Sequence, residues 1–153
     1  MTKVGLRRGA LAALLSFGLV GTALAQPPAT GLGQSWPNTT DVSANPNWHA
    51  YVFVLGGIKY VQINDLNGNV LGAVGTANGQ FITLPIGAFA QLVSTPQQPA
   101  AVSTGAAPAA QPSTVYQDSS VQITATPQTD GTVQLSAAVA NGCDPIDCNI
   151  RNQ

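Results

Sequence analysis

The sequence predicts an all-β protein: a small antiparallel four-stranded meander plus a C-terminal β-hairpin, separated by a disordered Pro/Ala-rich linker. Three observations predict it. Charged residues are 7% of the 153, against about a quarter in an ordinary soluble domain, and all six acids are Asp. Without Glu and with few Lys, a helical bundle or coiled coil lacks the residues that cover its solvent face. Short Gly-containing turns recur between residues 56 and 79, and β-branched, aromatic and alternating runs lie between and after them.

Residues 1–25 read as a signal peptide. Lys3, Arg7 and Arg8 form a positive n-region, Ala10 to Val20 an apolar stretch, and Ala23-x-Ala25 a cleavage pattern before Gln26. The apolar run is broken by Ser16, Gly18, Gly21 and Thr22, and a spanning helix wants about 20 apolar residues. The flanks of Arg7-Arg8 lack the twin-arginine pattern, so the general secretory route is expected. Cleavage leaves Lys59 and Arg151 against six Asp, a net charge of −4. Such a chain has no electrostatic reason to seek nucleic acid or anionic lipid.

Residues 26–47 form an irregular arm. Pro27, Pro28, Pro37 and Pro46 remove amide donors from it, and Trp36 is a large side chain available to dock on the domain. Residues 48–93 hold the meander. Its strands are Ala50–Leu55, Ile58–Ile63, Val70–Val74 and Gln80–Leu84, joined at Gly56-Gly57, Asp65–Asn69 and Asn78-Gly79. In the first hairpin Tyr51, Phe53 and Leu55 oppose Ala50, Val52 and Val54. Both faces are apolar, so both need cover. Ile86 to Val93 suits a short helix or a further strand.

Residues 94–113 read as an extended, mobile linker, with four Pro among Ala, Gln, Ser and Thr. Residues 114–153 hold the hairpin and a disulfide-closed tail. Val121–Thr126 and Thr132–Val139 alternate apolar with polar residues, which gives one face to lay on the meander or on another molecule. Cys143 and Cys148 are expected to pair as a structural disulfide in an exported chain. A redox pair normally encloses two residues, not four, and a metal site needs two further ligands.

No catalytic or metal site is read from the sequence, and no cofactor is expected. His49 is the single His, and no Gly-x-Ser-x-Gly surrounds any Ser. Asp65, Asn67 and Asn69 begin like a calcium loop, but Gly68 is fourth where the motif needs it sixth, and the closing Glu is missing. Asn38-Thr39-Thr40 fits a glycosylation sequon, which matters only in a eukaryotic secretory path. Trp48, His49, Tyr51 and Tyr60, with Trp36, form a candidate aromatic binding face for sugar or peptide.

Asn47-Trp-His-Ala-Tyr-Val-Phe, Gly57 to Asp65, Gly68-Asn-Val, Gly79-Gln-Phe and Leu84-Pro-Ile-Gly87 together resemble small exported proteins of Xanthomonas-type Gram-negative bacteria. The resemblance covers Asn47–Gly87 and implies a periplasmic or secreted bacterial setting. It carries over no catalytic residue. The expectation is therefore a non-enzymatic binding or envelope-associated module, whose partner is an unidentified protein or envelope component. A structural subunit that assembles by strand addition, as a homo-oligomer among other states, is the alternative; a small hydrolase or inhibitor comes third.

Overall fold

The first sheet follows the turn chemistry closely. In the computed structural model, which describes residues 29–101 and 105–140, β1 (His49–Leu55), β2 (Ile58–Asn64), β3 (Val70–Ala77) and β4 (Gln80–Thr83) pair antiparallel in sequence order. Gly56 and Gly57 both take positive φ, as do Asn78 and Gly79. Two successive positive φ values match the right-handed twist of the flanking strands, and thereby fix the registers Leu55↔Ile58 and Ala77↔Gln80.

The second sheet is larger than a hairpin. Residues 86–93 become both of the expected alternatives in turn: a 3-10 turn at Ala90–Leu92, then the two-residue β5 (Val93–Ser94). β6 (Ser113–Gln117), β7 (Val121–Pro127) and β8 (Val133–Val139) follow. The sheet order is β5-β8-β7-β6, with β5 parallel to β8. The sequence reading missed β6, whose Ser-Thr-Val-Tyr-Gln run is short and has a register shift between Thr114 and Tyr116.

The sheets stack into a sandwich with one core. Ala50, Val61, Ile63, Val74 and Phe81 of the first sheet pack with Val115, Val121, Ile123, Ala125, Leu135 and Ala137 of the second. The alternation in β7 and β8 points these residues inward and leaves Gln122, Thr124, Gln134 and Ser136 away from the core. Gly72 of β3 lets the layers approach: a Cβ there would lie 2.7 Å from Val93 Cγ2 and 3.0 Å from Leu135 Cδ1.

The described residues of the Pro/Ala-rich stretch are mostly irregular, as expected, and several of them bond to neighbouring elements. Ala101 N–H donates to Gln91 O at 2.8 Å, Ala109 N–H to Pro127 O at 2.8 Å, and Thr129 N–H to Ala107 O at 2.9 Å. Its side chains bury little, so the backbone supplies the attachment. The expected signal peptide and the expected Cys143–Cys148 disulfide lie outside the described residues. Among the described residues no helix is long and apolar enough to cross a membrane.

Candidate functional site

The arm makes the site. Residues 30–38 close on themselves through a bridge between Thr30 and Asn38 and lie over the outer face of the first sheet. That face carries His49, Tyr51, Phe53 and Leu55 of β1 opposite Asn64, Gln62, Tyr60 and Ile58 of β2. Gln62 and Asn64 are fully buried beneath the arm. Gly33 N–H donates to Gln62 Oε1 at 2.6 Å, and Gln62 Nε2 donates to Gln34 O at 2.8 Å. Asn64 Nδ2 donates to Ser35 O at 2.7 Å. The two side-chain amides thus meet consecutive backbone groups of the arm much as a neighbouring strand would. Among the described residues no buried side-chain nitrogen or oxygen lacks a partner, which removes the cost such burial otherwise carries.

These contacts set Trp36 in place. Its side chain rests on Gly68 in the β2–β3 turn, where a Cβ would come within 2.6 Å of Cε2. Gly68 also has φ +84°, so both the backbone and the indole require glycine there. The Trp36 and His49 rings meet edge to face at 5.4 Å, and His49 stacks on Tyr51 at 6.1 Å. Trp36 nonetheless stays 59% exposed.

Two carboxylates belong to the residues that hold the rings: Asp41 bonds to His49, and Asp65 lies in the turn under Trp36. Asp41 Oδ2 sits 2.6 Å from His49 Nδ1, and its Oδ1 accepts the N–H of Ser43 and of Ala50, each at 2.9 Å. Partial burial opposes its ionisation, but these hydrogen bonds outweigh that and hold its carboxyl below the ordinary range. In the turn on which Trp36 rests, Asp65 accepts the N–H of Asn67 and Asn69 and the Asn69 side-chain amide. Slight burial again works upward, and the same hydrogen bonds carry its carboxyl below the usual value. Burial, and then the charge of Asp41, push the Tyr51 hydroxyl up, so it stays a neutral phenol at neutral pH.

Of the four residues expected to share a binding face, the structure brings together two. His49 and Tyr51 join Trp36. Trp48 packs instead against the core with Val52 and Phe89, because its neighbour His49 takes the outer face and strand alternation turns Trp48 inward. Tyr60 lies on the outer face but further along it, paired with Phe53. No protein-family model matches the chain. No curated protein and no solved structure matches it either.

The arrangement therefore has to be read from its own chemistry. His49 is oriented by Asp41, as the base of a nucleophilic pair would be, yet among the described residues no hydroxyl hydrogen-bonds to it. The Asp65 loop satisfies its carboxylate internally, and no cluster of three metal-ligating side chains forms among the described residues. What the site presents is a fixed, exposed indole with polar groups around it.

A second polar cluster lies toward the opposite end of β2. Lys59 Nζ ion-pairs with Asp118 and donates to Ser120 Oγ at 2.9 Å. Asp118 also accepts the Tyr116 hydroxyl at 2.8 Å and the N–H of Ser120 and Val121. Burial alone would raise its carboxyl; Lys59 and the other donors hold it far below the usual range. The cluster spans the two sheets. A shallow cleft of about 440 Å³ runs past Leu84, Pro85, Gln91, Val93, Gln98 and Pro99, with no ionisable lining residue.

Proposed function

We propose that the chain is an exported, non-enzymatic binding module acting in the periplasm or outside the cell, and that Trp36, His49 and Tyr51 form its contact with an envelope component. Export rests on the n-region, apolar stretch and cleavage pattern of residues 1–25. One observation carries the binding reading: Trp36 is 59% exposed although a closed loop, two buried amides and a glycine seat hold it still. An indole left in water without a role would gain by folding down onto the apolar sheet. One held out rigidly has already met the ordering cost of an aromatic anchor.

Strand addition has less support. The β1 edge already takes the N–H of Val42 at Ala50 O, β6 takes the N–H of Ala44 at Val115 O, and Phe81 of β4 donates to the Gln97 side chain.

The test uses residues 26–153 with Trp48→Phe, so that emission reports on Trp36 alone. Envelope glycan fragments and peptides are titrated in turn. The expected result is a ligand that shifts Trp36 emission and, by calorimetry, binds Trp36→Ala about tenfold or more weakly at an unchanged melting temperature. Ligands that bind Trp36→Ala as well as the parent would remove this face from the function.

A further inference from the structure

We infer that the Trp36 face selects an organic cation, an alkylammonium group carried by its ligand. The inference rests on the binding reading above and names the chemistry of the same site.

Charge around the ring decides it. Trp36 is the aromatic side chain that attracts a cation most strongly, and each of its two contacts, His49 and Gly68, is bonded to an Asp. Asp41 is bonded to His49, which meets the indole. Asp65 belongs to the turn on which the indole rests, and accepts the Gly68 N–H on its backbone oxygen at 3.1 Å. Both acids are held by backbone N–H groups, so their positions are set before any ligand arrives. They remain ionised well into the acid range for the reasons given above.

The base nearest the ring is His49, which offsets the charge of Asp41 only when it is protonated. Among the described residues Lys59 is the one Lys or Arg. It pairs across from Val54 and not from His49, about 17 Å further along the sheet at the usual rise per residue, and Asp118 already engages it. An anionic sugar or an acidic peptide would approach two fixed negative charges, with His49 the one base beside them among the described residues. A neutral ligand would gain the ring but nothing from the carboxylates. A quaternary alkylammonium group gains from both, and it carries no N–H that would need an acceptor from carboxylates already bonded.

Choline and its uncharged isostere 3,3-dimethylbutan-1-ol separate these cases. Each is titrated into the mature Trp48→Phe chain at about pH 8, where carboxylates are charged, and the Trp36 indole N–H resonance is followed by NMR. Choline is expected to move it and to bind about two- to fivefold more tightly than the alcohol. Raising the salt to about 1 M should narrow that ratio, since the screening length falls to roughly 3 Å. In Asp41→Asn/Asp65→Asn, where acceptors remain but charge does not, the ratio should approach one. If the single Asp65→Asn is used because the pair unfolds, the ratio should still fall. Equal binding of choline and the alcohol would overturn the cation inference and leave the binding face intact. No movement of Trp36 with either probe would also overturn it, while the envelope screen decides the wider reading separately.

Discussion

Gln62 is a long polar side chain in the middle of an apolar strand, and its amide joins two backbone groups of the arm. Gln62→Leu keeps the volume but leaves the Gly33 N–H and the Gln34 carbonyl without their partner. A loss of about 2 kcal/mol is expected, measured by urea unfolding, with Trp36 in the Trp48→Phe background changing emission before the sheet melts. Coincident loss of both signals would show that the arm does not depend on this amide. Gly68→Ala tests the seat itself. The positive φ costs about 1 kcal/mol for any residue with a Cβ, and the new methyl would strike the indole. Trp36 should become more mobile, with lower emission anisotropy, while the core signals stay. At this scale the sequence was partly legible. Gln62 and Asn64 stand on the same strand face as Tyr51 and Phe53, and two amides on a face that must be covered imply a polar cover. That the cover is the Gly33–Trp36 backbone is a tertiary fact. Nothing local in Gln34, Ser35 or Trp36 states which face they meet.

Strands and their turns were the most legible level, because Gly56-Gly57 and Asn78-Gly79 impose a backbone geometry that few other pairs accept. Partnerships between elements were not legible. The register of Lys59 on β2 and the position of Asp118 before β7 are each local, yet their meeting depends on how the two sheets stack. The pair is only half-buried, so its worth is that of a partly screened bridge, about 1 kcal/mol. Lys59→Met should lower stability by that amount at neutral pH. The sign with pH follows from Asp118, whose folded carboxyl lies below its unfolded value. Its contribution is full above the unfolded value of about 3.9 and is lost as the pH falls toward the folded one. Lys59→Met keeps the Tyr116, Ser120 and Val121 donors to Asp118, so the stability gap between the parent and this variant should hold from neutral pH to well below about pH 4 and narrow only as Asp118 itself takes a proton. Urea midpoints of both chains at several acid pH values measure this; a gap that already closes above about pH 4 would show that it does not come through Asp118.

For the whole molecule, sequence and structure divide the chain differently. A Pro- and Ala-rich stretch between two β-rich regions looks like a boundary, and composition alone separates residues 48–93 from 114–153. The core ignores that boundary. Among the described residues the inner faces of β1–β4 are covered by β6–β8 and by Val93 of β5, and the alternation of β7 and β8 gives those strands one apolar face to lay there. The arm then laces the layers from one side, bonding to Ala50 in the first sheet and Val115 in the second. Two elements that each lack a second layer fold together or not at all. Unfolding of residues 26–153 should accordingly be a single transition, and the slowest-exchanging amides of β2 and β7 should share one opening free energy. A chain ending at residue 93 should be unfolded by circular dichroism, because Val61, Ile63, Val74 and Phe81 would face water. If β7 and β8 instead exchange through a cheaper opening while β1–β4 stay protected, the meander stands on its own. The second sheet would then be an appended layer, and the apolar surface it leaves on separating would itself become a binding surface.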